Sequence, residues 1–494
     1  MFWDRIRWKP SVSHCAMAVF FIVGFSLRLY AAHFPNLIHP DEVFQTLEPA
    51  HRLAYGYGVV TWEWREGVRS WVFPAFLAAI MKATAWMGPG SSGYLWGISA
   101  VLSLLSLVTI WFAFAWTKRV SGIRAALFAA GTCAIWYDLV IFAPSALTGI
   151  VAAHVLLPGL YLGKYGERVP ERTRMFLAGF LLGLAVSLRI ELAPAIGFAL
   201  IYFCYPNWRQ RALPLACGFL LPVLVFGVVD AFTWSYPFQS FIKYFWVNAI
   251  EGRSALYGTS PWYWYVQALM LAMFPLSVLA IFGVRRSPFL AWFALIVLVS
   301  HSMISHKELR FIYSVLPIIV TLAAIGLEEF VRDFTARSTN GARIRNVAVM
   351  STFTICCLLS YWYAPLFPYR RKDSVGIAAF NDLSRDPAVC GVAIYGIYWF
   401  ITGGYAHLNK DIPILLIPSA GVLRNQASTF NALLTKQSSL PSTIGFKSAK
   451  CWHDGCLYTR RGLCRPPADS YEINRVLRET GDLMHIGKIA PGSR

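Results

Sequence analysis

Charge is scarce in this chain: Asp, Glu, Lys and Arg make up 14% of 494 residues, while 57% are hydrophobic. Soluble domains run at roughly 25% and 45–50%. A single water-soluble core is thereby excluded, and a multi-pass membrane protein remains. Acids are the scarcer sign, 25 against 44 basic residues. No RNA- or DNA-binding motif accompanies the basic surplus, so positive cytoplasmic loops account for it and no nucleic acid is expected as a partner. The chain has no fixed-period repeat and no low-complexity tract, which excludes solenoids and disordered arrays. It lacks the two similar halves common among transporters. It also contains no Asn-x-Ser/Thr acceptor.

What the chain does have is long apolar runs, at 14–32, 93–117, 122–138, 146–163, 174–188, 190–206, 212–234, 262–284, 288–304, 309–328 and 346–365. These are about eleven candidate spans. Arg5, Arg7 and Lys9 precede the first, which is expected to stay uncleaved. The basic clusters Lys118/Arg119/Arg124, Lys164/Arg168/Arg172/Arg174, Arg209/Arg211, Arg285/Arg286 and Arg332/Arg337/Arg343/Arg345 can share the cytoplasmic side with that N-terminus if 70–87 does not cross. Arg370, Arg371 and Lys372 dissent from this scheme. Residues 1–366 are thus expected to form an all-α transmembrane domain, with a first outer loop at 33–70 and a second at 235–261. Residues 367–494, where charge, Asn, Ser and Pro return, are expected to form a small extramembrane α/β domain: a helix near 374–384, strands at 389–395 and 412–417, and a Gly403-Gly404 turn. Cys390, Cys451, Cys456 and Cys464 can pair as two disulfides in an oxidising space, or Cys451, His453, Cys456 and Cys464 can bind zinc.

Three polar stretches on the outer face carry chemistry. In the first, HPDEVFQTLEPAHRLAYGYGVVTWEWREGVR from His39 to Arg69, Pro40 suits a helix start, and Asp41, Gln45 and Glu48 share a face until Pro49. Paired acids directly after a span, followed by Thr61-Trp62-Glu63-Trp64, point to a site at the membrane face. In the second, Asn248, Glu251, Arg253 and Tyr257 alternate with aromatics up to Trp262 and Trp264. Flat rings beside polar groups suit a sugar, whose hydroxyls need partners and whose C–H face stacks. In the third, HSMISHKELR, His306, Lys307 and Arg310 outweigh Glu308 and suit a lipid-linked phosphate. No outer loop holds a DxD pair or a His/carboxylate cluster at metal spacing, so neither metal nor cofactor is expected.

HPDE, TWEW, YGTSPWYWY and HKELRF, in order across Val19–Leu366, resemble glycosyltransferase family 22. This family holds the α-mannosyltransferases of glycolipid-anchor (GPI) and N-glycan assembly, and the long first loop looks closest to the branch adding the third mannose of the GPI anchor. GGYAHLNKDIPI, beyond residue 402, is a weaker likeness. The resemblance implies a GT-C fold with about 11–13 membrane helices and an inverting transfer of mannose from a dolichyl- or polyprenyl-phosphate donor to a glycolipid acceptor. It also implies a catalytic acid at Asp41. Glu42 is expected beside it, with His306, Lys307, Arg310 and Arg28 at the donor phosphate, and His39, Gln45, Trp62, Glu63, Tyr257 and Trp262 at the acceptor or sugar. The setting would be the ER membrane for a eukaryotic chain and the inner membrane for a bacterial one, with site and C-terminal domain outside the cytoplasm. Two other readings are a lipid transporter using Arg189, Glu191 and Asp230 as pathway charges, and a non-catalytic glycan-holding subunit that would not need Asp41.

Overall fold

The computed structural model describes residues 12–33, 39–335, 340–363, 375–436, 445–446, 448–452, 454–466 and 469–480. Arg5, Arg7, Lys9, Arg337, Arg370, Arg371, Lys372 and His453 lie outside them. The chain forms two compact units: residues 1–31, 101–226 and 245–367 make the first, and 32–100, 227–244 and 368–494 the second. One change of unit falls at 367/368, a residue from the boundary expected, but the second unit also takes in 32–100 and 227–244, because the first outer loop shares a core with the C-terminal segment.

The first unit is helical. Its central helix, Val315–Thr335, is buried at every position from Val315 to Leu327. Helix Leu276–Gly283 packs on it at a crossing that only glycine permits: a Cβ on Gly283 would lie 2.1 Å from the Leu322 carbonyl oxygen, and one on Gly326 2.1 Å from that of Leu279. The same device joins Glu171–Leu188 to Trp208–Thr233, where Gly179 faces the Leu215 carbonyl and Gly218 that of Phe176. Among the described residues four helices are long and apolar enough to cross a bilayer, or five if the bent pair Trp264–Ala272 and Leu276–Gly283 is one span. Several expected spans are shorter or broken. Runs 93–117 and 122–138 fuse into Ser92–Ile135, kinked where Gly122 takes φ 84°, and run 190–206 opens with a 3-10 turn before helix Ala193–Cys204. Helix Val72–Thr84, in the stretch expected not to cross, is also too short by this measure.

The second unit carries a five-stranded sheet: β1 Val392–Tyr395, β2 Ile414–Ile417, β3 Ala432–Thr435, β4 Ser448–Trp452 and β5 Gly455–Thr459, in order β2-β1-β3-β5-β4. β1 is parallel to both β2 and β3, and β5 is antiparallel to β3 and β4. Both faces of the parallel strands are buried, so they read as unbroken apolar runs. On one face Val392, Ile394, Ile414 and Leu434 pack with Val43, Phe44 and Val59 from the first outer loop; on the other Ala393, Leu415 and Leu433 pack with Leu423 and Phe430. Disulfides join Cys390 to Cys464 and Cys451 to Cys456. The zinc alternative falls, because all three of its cysteines that are described spend their sulfur in these bonds.

Candidate active site

In the second unit, residues 40–55 form a helix with one irregular turn. Glu42–Leu47 is π-helical, closed by Glu48 N–H donating to the Val43 carbonyl, and an α-helix resumes over Glu48–Tyr55. Pro49 explains the wide turn: it offers no N–H, and its ring would press on the carbonyl four residues back, so an extra residue in the turn relieves both. The inserted residue corrects the face expected for Asp41, Gln45 and Glu48. Glu48 is fully buried, whereas the Asp41 side chain keeps 26% of its surface and Gln45 is half-buried.

Glu48 accepts hydrogen bonds from the backbone N–H groups of Val59 and Ala406. Burial raises its carboxyl to about 8, and the N–H groups of Ala406, Val59 and Tyr405 act against that rise. One turn on, His51 bonds the Tyr57 carbonyl and the Asn409 amide. Glu48 and His51 thus tie the loop to GGYAHLN.

Asp41 lies at the other end of this helix. The His39 ring nitrogen Nδ1 accepts the Asp41 backbone N–H at 3.2 Å and sits 3.3 Å from the Asp41 carboxylate. An acceptor nitrogen carries no proton, so this contact is not an ion pair through Nδ1. Positive charge beside Asp41 comes from Arg69, which was not among the expected site residues. Arg69 bonds Glu63 at 2.7 Å and lies over the Tyr244 ring at 4.9 Å. Burial opposes its charge, but Glu63, Tyr244 and Asp41 together hold its guanidinium above the usual arginine range. Glu63, expected at the acceptor, is therefore the partner of Arg69. Trp64, Trp71 and Trp234 form a cluster behind it, ring centroids 4.4–6.4 Å apart, and the Trp234 indole donates to the Arg69 carbonyl. Glu42 and Trp62 are half-buried on the same segment.

The first unit holds the other polar cluster. Glu308 bridges His306 at 2.7 Å and Arg310 at 2.6 Å. Arg189 pairs with Glu191 at 2.9 Å, and the guanidinium groups of Arg189 and Arg310 each lie over the Phe311 ring, at 4.8 and 4.7 Å. Close by, the buried His301 Nε2 and Arg189 Nε have no hydrogen-bond partner among the described residues, which is how a polar ligand site looks from the protein side. Tyr257 stands 6.2 Å from the His306 ring, which also bonds the Gly258 carbonyl.

Three expectations need redrawing here. Lys307 donates to the carbonyls of Ile304, Ser260 and Ser305, and burial lowers its ammonium below the usual lysine range; it clamps two loops together. Arg28 is fully buried and bonds Ser106 Oγ and the carbonyls of Gly24, Ala134 and Cys133. Two of those carbonyls end helix Val108–Ile135, so Arg28 caps a helix. Trp262 is 73% exposed and meets Tyr263 edge-on, as an interfacial-belt tryptophan does. Among the described residues no three His, Cys, Asp or Glu side chains gather as metal ligands.

Comparison with known proteins gives the setting. The model of the Alg9-like mannosyltransferase family matches residues 19–393. GPI mannosyltransferase 3 of Yarrowia lipolytica is 26% identical over 416 residues, 80% of this chain and 76% of that protein. GPI alpha-1,2-mannosyltransferase 3 of Mus musculus is 28% identical over 304 residues; that match takes in 58% of this chain and only 54% of the mouse protein. Among solved structures, ArnT from Cupriavidus metallidurans bound to undecaprenyl phosphate superposes with a TM-score of 0.62 at 13% identity, covering 91% of this chain and 99% of that one. That likeness is one of fold, the GT-C fold.

Proposed function

Because the chain belongs to the Alg9-like mannosyltransferase family, and is on that ground a sugar-transferring membrane enzyme rather than a transporter, we propose that it moves mannose from a polyprenyl-phosphate carrier to a lipid-linked glycan, with inversion at the sugar. In this reading Asp41 takes the proton from an acceptor hydroxyl. The oxygen attacks C1 of the β-linked mannose, the C1–O bond to phosphate breaks, and the lipid phosphate leaves with the electron pair to give an α-mannoside. The observation that supports the assignment is place and access: the Asp41 side chain keeps 26% of its surface at the start of the first outer loop and feels the charge of Arg69, whereas Glu48 is buried on backbone N–H groups. Glu42 supports acceptor binding.

For the leaving phosphate, Arg310 and Arg189 supply guanidinium donors, Arg310 being the group shaped to grip two oxygens at once, while His306, both of whose ring nitrogens are engaged with Glu308 and the Gly258 carbonyl, orients Glu308. Lys307 and Arg28 are left out because their donors are already committed. A monophosphate leaving group held this way needs no metal. The carrier is a dolichyl or other polyprenyl phosphate, and ArnT, seen with undecaprenyl phosphate, supports that class. The yeast and mouse relatives carry GPI mannosyltransferase names and support a GPI-type glycolipid as acceptor. The site and the disulfide-bearing segment face the non-cytoplasmic side. The test offers purified enzyme labelled polyprenyl-phosphate mannose and a panel of mannosylated glycolipids. Transfer by the wild type but not by Asp41→Asn is expected; equal turnover by both would remove Asp41 from the mechanism.

A further inference from the structure

The stretch GGYAHLNKDIPI has no part in the chemistry proposed so far, yet it helps line a groove of about 400 Å³ in the second unit. One side is the turn that ends the Asp41-bearing helix, where Gly56 takes φ 92°, and the others come from Tyr405–Pro413 and from Glu472 and Asn474. The floor is fixed. Asn474 accepts the Val60 N–H at 2.8 Å and donates to the Gly58 carbonyl at 3.3 Å, and the Tyr405 hydroxyl donates to the Ile412 carbonyl. Tyr57 and Tyr405 meet edge-on at 5.4 Å and present aromatic surface. Arg52 and Asp411 line the groove as exposed residues, and among the described residues neither side chain makes a hydrogen bond or ion pair.

We propose that this groove is a subsite for the glycan of the acceptor, holding sugar rings remote from the hydroxyl that reacts. The volume falls in the roughly 300–1,000 Å³ range of small-molecule pockets, room for a ring or two. Fixed amide and carboxylate groups, one unengaged guanidinium and tyrosine faces are what vicinal hydroxyls and a C–H face require. The two carboxylates, Asp411 and Glu472, against one cation, Arg52, disfavour a phosphate, so the lipid carrier is not the ligand. Burial and the neighbouring charges of Asp411, Tyr55 and Glu48 push the Tyr57 hydroxyl up to about 12, so it remains a donor at any working pH. About fifteen helical residues at 1.5 Å each put the groove roughly 20 Å from Asp41. It therefore reads the length of the acceptor and not the reacting ring, and this assignment rests on the mannosyltransferase reading.

Direct binding separates the two claims. Free mannotriose is titrated by saturation-transfer NMR against the full chain in detergent. Binding by the wild type and by Asp41→Asn, weakened about tenfold or more in Arg52→Ala and Asp411→Asn, is expected. No binding by the wild type at 10 mM (about 1,000 times a tight-site Kd of ~10 µM), or equal binding by all four proteins, overturns the groove whatever the enzyme assay shows. The kinetic arm uses glycolipids of two lengths: the kcat/KM ratio of long over truncated acceptor should fall in Asp411→Asn, whereas a change in donor KM alone would assign the groove to the donor sugar and overturn the proposal. Loss of transfer with mannotriose binding retained would fault the catalytic reading and not the groove. Glu472→Gln is a second variant should Asp411→Asn fail to fold.

Discussion

The polar stretches at 39–69 and 301–310 are anchored in opposite ways. In the first, the side chains that set the geometry reach far along the chain: Glu48 to Ala406, His51 to Asn409, Arg65 to the Leu477 carbonyl. In the second, Glu308 holds residues two positions away on either side, and Lys307 holds Ile304 and Ser305, with Ser260 as its more distant partner. The difference teaches that the proposed base is positioned by a tertiary frame, whereas the cluster proposed for the phosphate is largely built by its own short sequence. Damage to the C-terminal segment should therefore reach Asp41, while the 301–310 cluster should respond to changes within it, in the adjoining 253–260 loop and at the neighbouring Arg189 and Glu191.

The largest expected effect tests the frame's purpose. Asp41→Asn should lower transfer by about 10²–10⁴-fold, the usual worth of a positioned base, and Glu42→Gln by less, measured with labelled donor at saturating acceptor. Next, the two cations at 307 and 310 should separate. Arg310→Ala removes a charge-assisted grip worth about 1.5–3 kcal/mol and should raise the donor KM by roughly 10- to 100-fold. Lys307→Met should instead lower the thermal midpoint by uncapping three carbonyls, with a smaller effect on donor KM. If Lys307→Met carries the larger donor defect, the division of labour drawn here is reversed.

A smaller effect concerns pH. Glu48 is raised by burial from an ordinary 4.5 to about 8, so the folded state holds its proton more tightly than the unfolded state. The stability this contributes is complete below about pH 4.5 and is lost as the pH rises through about 8, with a slope of at most about 1.4 kcal/mol per unit. Unfolding midpoints of the detergent-solubilised chain should fall across that window, and Glu48→Gln should flatten the fall; an unchanged slope in Glu48→Gln would assign the dependence elsewhere. The smallest expected effect is none: transfer in excess EDTA should stay within about twofold of untreated enzyme, since one well-gripped phosphate needs no second cation. Loss that Mn²⁺ or Mg²⁺ restores would make His39–Glu42 a metal site.

What could be read in the sequence follows the same division. Apolar runs, the α/β character of the C-terminal segment and the motif positions depend on residues close in the chain, and most were legible. Its helix forms over Val375–Arg385 against the expected 374–384, and the strands over 392–395 and 414–417 are trimmed forms of those expected. Residue type and place single out Asp41, His306 and Arg310 as candidates, and their roles stay proposals. The functions of Arg28, Lys307, Glu48 and Glu63 were not legible, because each is decided by a partner that spacing does not reveal: carbonyls at the end of another helix, a loop around Ser260, the amides of Val59 and Ala406, and Arg69. Arg69 closes the polar stretch as one of its three arginines, with Arg52 and Arg65, and spacing alone does not show which of them meets an acid. The spacing of Gly179 and Gly183 likewise announced a close helix contact.

The shared core of the second unit also sets an order of events during synthesis. Val43, Phe44 and Val59 emerge early, yet the residues that bury them begin at Val375. With translation at about 5–20 residues per second, those apolar side chains wait on the order of half a minute for their partners. The loop bearing Asp41 is thus among the first parts of the enzyme to be made and among the last to be finished, and a ribosome that stalls before residue 375 leaves it with a sticky, unassembled face for a chaperone to hold.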